Sequence, residues 1–181
     1  MNLLKKLQNA ITRATVKLVN STTKTQSLQI GLLAGELKGG IEHLEPYGFT
    51  SHPHVGAEGI AVFFGGDRSN GVVIVAADKR YRLLNLADGE VALYDDQGQQ
   101  IVLKRSGIVV KTPKTLTAEC GGDVSVTAPN VNITANLSVS GNVTVTGEIQ
   151  ASGDVKAGSI SLNSHTHTGV ETGSSNTGGP Q

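Results

Sequence analysis

The sequence predicts an all-β protein with a short N-terminal helix: an OB-fold-like barrel (the oligonucleotide/oligosaccharide-binding type) followed by an intertwined triple-stranded β-helix. Three observations carry this. Between residues 27 and 86, turn signals cut the chain into short strand-like runs. After Tyr94 there is no aromatic residue, and Val, Ile, Leu and Ala alternate with Ser, Thr and Asn, with glycine recurring at short intervals. Near the end stands Ser164-His165-Thr166-His167-Thr168-Gly169. In an extended backbone, alternate side chains share a face, so His165 and His167 present two imidazoles together. The corresponding segments are an amphipathic helix over 1–20, the barrel over 21–88, the shaft over 89–163 and a metal-binding tip over 164–181.

The helix rests on Leu3, Leu4, Leu7, Ile11, Ala14 and Leu18, which recur at helical spacing over residues 2–19. Lys5, Lys6, Arg13 and Lys17 fall largely elsewhere. Gln8, Asn9, Thr12, Arg13 and Lys17 interrupt the stretch, so it lacks the apolar run of a signal peptide. Its apolar side is expected to pack on the protein's own body or a partner.

Strands are expected over 27–33, 59–64, 71–76 and 80–84. Between them lie Gly39-Gly40, Pro46-Tyr47-Gly48 and the loop Gly65-Gly66-Asp67-Arg68-Ser69-Asn70-Gly71. Several short strands in so few residues suit a small barrel, although that fold confers no binding activity by itself. The glycine-rich loop lacks the Lys-Ser/Thr ending of a phosphate cradle and reads as a tight turn. Further strands are expected over 91–94 and 100–104. Asp95 and Asp96 are adjacent, point to opposite faces, and belong to turn chemistry rather than to an acid/base pair.

Beyond them, Val124, Val126 and Ala128 alternate with polar residues, as do Val131, Ile133, Ala135, Leu137 and Val139, then Val143 and Val145, then Ile149 and Ala151. Gly141, Gly147, Gly153 and Gly158 recur at spacings of six, six and five. This is the texture of β-helical stacking. A single-chain β-helix usually needs a longer rung to turn three corners, so the short period favours three intertwined chains that bury the apolar row along a common axis. The missing aromatics fit so thin an interior.

Composition excludes several classes. Lys plus Arg and Asp plus Glu are equal at 15 each, so no basic field argues for nucleic acid. Cys120 is the single cysteine, which rules out an internal disulfide. It precedes Gly121-Gly122 and reads as a buried small residue rather than a catalytic thiol. No other side chain stands in a recognisable nucleophile setting. His52-Pro53-His54 repeats the His-x-His spacing, but the intervening proline places it in a loop, and it is not read as a metal site.

Two imidazoles are too few for a closed site, since zinc takes about four ligands and an octahedral ion about six. Three copies of His165 and His167 supply six nitrogens, a set that suits iron, cobalt or nickel. The bland alternative is two exposed residues in a Gly/Ser-rich tail. Residues 169–181 alone have a disordered composition, although in a closed tip they would fold over the ion. Rival functions are a metal-dependent enzyme, which needs an open coordination position, and a trimeric glycan-binding fibre, which needs sugar-stacking aromatics that the shaft lacks.

Several stretches resemble the Mu-type phage baseplate spike family, the central puncturing proteins of contractile-tailed phages. They are Glu42-His43-Leu44-Glu45-Pro46-Tyr47-Gly48 with Ser51-His52-Pro53; Phe63-Phe64-Gly65-Gly66-Asp67-Arg68-Ser69; Gly89-Glu90-Val91-Ala92-Leu93-Tyr94-Asp95-Asp96-Gln97-Gly98; and His165-Thr166-His167. They occur in the expected order and span nearly the whole chain. The resemblance implies a non-enzymatic homotrimer in the virion's tail baseplate, assembled in the host cytoplasm. Its barrel would sit on the baseplate hub protein, and its needle would pierce the host outer membrane when the sheath contracts. It further implies one iron ion per trimer, held by six imidazoles at His165 and His167. Some relatives hold calcium or chloride in the needle; no residue is assigned to those ions, although Asp154 and Glu171 are the acids nearest the tip.

Overall fold

The structure, a computed structural model, describes Leu7, residues 9–169 and Gly173. It is all-β. Residues 1–120 form one compact unit and 121–181 another. The first contains a closed barrel of five strands: β1 (Ile11–Asn20), β2 (Ser27–Gly31), β3 (Leu37–His43), β4 (Glu58–Phe63) and β5 (Gly71–Ala77). Their order around the barrel is β1-β2-β3-β5-β4, and β4 pairs with β1 to close it. All pairings are antiparallel except β3 with β5.

Strand alternation builds the core. Ala14 and Val16 from β1, Leu28 and Ile30 from β2, Ile41 from β3, Ala61 and Phe63 from β4 and Val73 from β5 point inward and are buried. A five-stranded barrel has room for few large side chains, so alanines stand among the aliphatics and Phe63 is the one buried aromatic of this cluster. Its ring lies over Gly71, its cross-strand partner, where a Cβ would collide with the ring. Register shifts in β1, β2 and β4/β5 supply the bending that closure requires. The shift opposite Ile60 and Ala61 leaves Ile74 as an extra residue on β5, and Ile74 and Val75 are both exposed.

Three corrections to the sequence reading follow. The helix expected over residues 2–19 does not extend through its second half: Leu7, Asn9 and Ala10 are helical, but Ile11–Asn20 is a strand. Thr12, Ala14 and Val16 are buried at a period of two, and barrel closure through β4 outweighs the helical spacing. Residues 1–6 and 8 of that expected helix lie outside the described residues. The strand expected over 80–84 is a turn and irregular chain, because Asp78 captures the local backbone: its Oδ1 accepts from Arg80 N at 3.0 Å and its carbonyl from Tyr81 N at 3.3 Å. β3 continues through Gly39-Gly40 as a bulge, the two glycines facing Gln29 alone, with Gly40 at φ 68 inside the strand.

After the barrel come β6 (Val91–Tyr94), β7 (Gln100–Lys104) and β8 (Gly107–Lys111), a three-stranded antiparallel sheet in the order β6-β7-β8. Residues 112–155 then contain no strand. Every residue from 113 to 160 is exposed, the alternating Val, Ile and Leu included. Cys120 is exposed with them, which corrects the expectation of a buried side chain. The second unit closes with a small hairpin, β9 (Lys156–Ala157) and β10 (Ile160–Ser161).

Candidate metal centre

The hairpin that precedes the histidines turns in two residues, Gly158-Ser159, with Gly158 at φ 63 as so tight a turn demands. The chain then curls back on itself. Leu162 N donates to Val155 O at 2.9 Å, Asn163 N to Asp154 Oδ1 at 3.2 Å, and Ser164 N to Ser161 Oγ at 3.1 Å. His165 N completes a single helical turn by donating to Ser161 O at 3.1 Å. Asp154, noted in the sequence only as a nearby acid, is therefore a clamp on the turn that carries His165.

The His165 ring is fixed too. Its Nδ1 lies 2.9 Å from the same Ser161 carbonyl oxygen. A carbonyl can only accept, so Nδ1 is the donor, and in a neutral ring Nε2 is then the nitrogen left to ligate. A backbone carbonyl holding one ring nitrogen so that the other can ligate is the arrangement common to metal-bound imidazoles. The His167 ring stands with its centroid 5.2 Å away at an interplanar angle of 77°. The two imidazoles are neighbours, as expected, but no strand carries them: His165 closes the turn and residues 165–167 are irregular chain. Among the described residues, no group of three or more His, Cys, Asp or Glu gathers within one chain in a way that could hold a metal ion. The donor set fits one third of an octahedral imidazole cage, and no further ligand joins it among the described residues. Glu171 and the closing over of residues 169–181 lie outside the described residues, except Gly169 and Gly173.

The other candidates have structural partners. His54 faces Asp96, with Nε2 3.3 Å from Oδ2, and packs 5.0 Å from the Tyr81 ring. Asp95 Oδ1 accepts from Gln97 N and Gln99 N, both at 2.9 Å, and Oδ2 from Gln99 Nε2 at 2.6 Å. Burial pushes the Asp95 carboxyl up, but these hydrogen bonds outweigh it and hold the carboxyl below its ordinary value. Asp67 Oδ1 accepts from Ser69 N at 2.9 Å and Ser69 Oγ at 2.7 Å, which lowers its pKa and makes the glycine-rich loop a tight turn. Arg68 from that loop stacks 4.8 Å over the Phe63 ring.

Sequence reasoning missed a set of loop clamps. Glu45 Oε1 accepts from Ser51 N at 2.7 Å and Oε2 from Thr50 Oγ1 at 3.1 Å. The buried Gln26 donates to Ser51 O at 2.7 Å, and its Oε1 lies 2.9 Å from Nδ1 of the buried His43. Glu90 accepts from Ala87 N at 3.0 Å and Arg105 N at 3.3 Å. The motifs that carried the resemblance are thus largely turn chemistry.

A self-closed five-stranded barrel, a long alternating segment without internal strand pairing among the described residues and a turn that carries two neighbouring histidines define the class to be matched. Residues 13–80 match the family model described as Bacteriophage Mu Gp45, N-terminal, and residues 159–181 match the GpV Apex motif. The chain is 33% identical over 134 residues to the baseplate puncturing device gp45 of Escherichia phage Mu, covering 74% of this chain and 68% of that protein. It is also 33% identical over 136 residues to the Mu-like prophage FluMu protein gp45 of Haemophilus influenzae, covering 72% of this chain and 74% of that protein. The chain belongs to the Mu Gp45 family of phage baseplate spikes.

Proposed function

We propose that the protein is the central spike of a contractile phage tail, a homotrimeric needle without enzymatic activity that is driven through the host outer membrane when the sheath contracts. One observation carries the reading. Among the described residues, the stretch 115–153 makes no backbone hydrogen bond within the chain while presenting alternating apolar side chains to solvent. Backbone donors and acceptors need partners, and an apolar row needs cover. Two further copies wound about the same axis supply both. The resulting interchain ladder would be stiff and free of open edges, the properties that a piercing rod requires.

The match of the C-terminus to the Apex motif, together with the fixed His165 imidazole, supports a metal-pinned tip. His165 and His167 from three chains would hold one iron ion with six nitrogens. Such an ion leaves no coordination position for substrate, so it supplies a structural cross-link where the ladder ends. Calcium or chloride elsewhere in the needle stays without an assigned residue. The barrel would seat the spike on the hub protein; Tyr47 and Phe49 stand exposed on the loop that Glu45 clamps, as suits a protein contact. Assembly in the host cytoplasm suits a chain with a lone, unpaired cysteine.

The chain mass is 18.7 kDa. Light scattering is expected to give three times that value, and elemental analysis of untagged protein one transition-metal ion per three chains. A stable monomer would overturn the needle, and one ion per chain would point to a catalytic site. The pair His165→Ala with His167→Ala is expected to remove the metal and leave the trimer assembled.

A further inference from the structure

The three-stranded sheet has two unequal faces. Register pairs Val91 with Leu103 and Leu103 with Ile108, and likewise Leu93 with Ile101 and Ile101 with Val110. Residues directly opposite each other share a face. These six aliphatic side chains therefore form one unbroken block without a polar member. All are exposed, from 40% at Ile101 to 72% at Ile108. On the opposite face the central Val102 is 3% exposed, while Tyr94 and Val109 there are each 41% exposed and stand beside the exposed Lys104 and Lys111, so that face is neither uniformly apolar nor uniformly open.

We infer that this six-residue face is where three copies of the chain first meet, and that it sets the register of the needle. The inference rests on the trimeric reading above. The occupant is the same face of two other copies, with three sheets enclosing an apolar prism. The block presents on the order of 600 Å² per chain, as large as the biggest apolar patch of an ordinary monomer. It approaches the ~800 Å² that each partner buries in a standard interface. It is also continuous in sequence with the region that the trimeric reading pairs with other chains, since β8 ends at Lys111 and the stretch without internal backbone bonds begins at Thr115.

Register is the reason such a clamp is required. The shaft repeats every five or six residues between Gly141 and Gly158. A chain that slips by one repeat again sets Val against Val and glycine against glycine, so the shaft specifies its alignment weakly. Six residues of strand span roughly 20 Å. A single slip therefore carries one pair of imidazoles far from the other two and leaves the six-nitrogen set incomplete. The β6–β8 sheet does not repeat. Its two hairpin connections make it a closed block with one alignment, and three such blocks in contact leave the shafts that follow no choice of register.

The test uses the full chain. Leu93→Lys with Ile108→Lys is expected to raise the concentration at which half the trimer dissociates by about 100-fold or more, since six lysines would meet in an apolar prism. It is also expected to lower metal content well below one ion per three chains, although His165 and His167 are untouched. Asn132→Lys, on the polar side of the shaft's alternation, is the control, expected to keep both mass and metal. Amide exchange at Val16, Ile30 and Val102 checks that barrel and sheet remain folded. If the lysine pair unfolds the sheet, Val91→Thr with Val110→Thr decides instead, with a smaller loss in the same direction expected. A wild-type trimer whose face variants keep full mass and full metal overturns this inference alone. A wild-type monomer overturns the trimeric reading beneath it.

Discussion

The barrel and the shaft use the same local grammar, alternating apolar and polar residues on extended backbone, and meet opposite fates in one chain. In the barrel, β4 returns to β1, every strand has two neighbours, and Val16, Leu28, Ile30, Phe63 and Val73 are nearly sealed from water. In the shaft, Val131, Ile133, Leu137 and Val139 follow the same period with nothing over them. Alternation therefore states that a face will be buried but not by what. Pairing within the chain supplies the difference. The barrel strands run five to ten residues and each pairs with two others of the same chain, whereas residues 112–155 contain no strand.

The largest way to sharpen this contrast is Phe63→Ala. The ring fills the barrel beneath Arg68 and over Gly71, so its loss is expected to cost ~3–5 kcal/mol. Because the barrel closes within one chain, the fall in its melting temperature should not depend on protein concentration. Ile133→Ala in the shaft is expected to cost less, about 1–2 kcal/mol per chain. That effect should appear only where the trimer is assembled and vary with concentration. Calorimetry over a hundredfold range of concentration separates the two. An Ile133→Ala effect that is the same at every dilution would mean that the shaft is covered by its own chain.

The sequence made some of this legible and not the rest, for physical reasons. β2, β4, β5, β6 and β7 announce themselves because β-branched runs are bounded by turn residues. β1 does not, because Leu7, Ile11, Ala14 and Leu18 fit a helical period while Thr12, Ala14 and Val16 fit a strand period; only closure by β4 decides between them. β3 hides behind Gly39-Gly40, a pair that reads as a turn, and the strand absorbs it with one residue at positive φ. At the tip, the pairing of His165 with His167 follows from their spacing. The Ser161 carbonyl that sets the ring tautomer and the Asp154 carboxylate that ties down Asn163 do not, because both depend on how the chain curls after a hairpin. Clamps such as Gln26 to Ser51 join residues far apart in sequence, and no local pattern marks them.

The smallest expected effect lies at the rim of the barrel and sharpens the comparison from the electrostatic side. Asp78 is held by Arg80, whose guanidinium donates to Oδ1 at 2.8 Å and to Oδ2 at 2.5 Å, while Arg80 N donates to Oδ1. The Arg80 side-chain hydrogen bonds lower the Asp78 pKa from 3.8 to about 2. A carboxyl with a depressed folded value contributes stability that is complete above its unfolded value and is lost as pH falls through its folded one. The contribution of Asp78 is therefore present at neutral pH and disappears between about 4 and 2. Arg80 is half exposed, so solvent screens the pair and the effect is modest. Asp78→Asn is expected to flatten the acid limb of barrel unfolding in that window and to leave dissociation of the trimer unchanged. Lowered carboxyls also stand at Glu58 and Asp67 in the barrel and at Glu90 and Asp95 beside the β6–β8 sheet, so Asp78→Asn removes only the barrel-rim share of the acid response. A change in trimer dissociation between pH 4 and 2 that vanishes in Asp78→Asn would show instead that the barrel rim takes part in assembly.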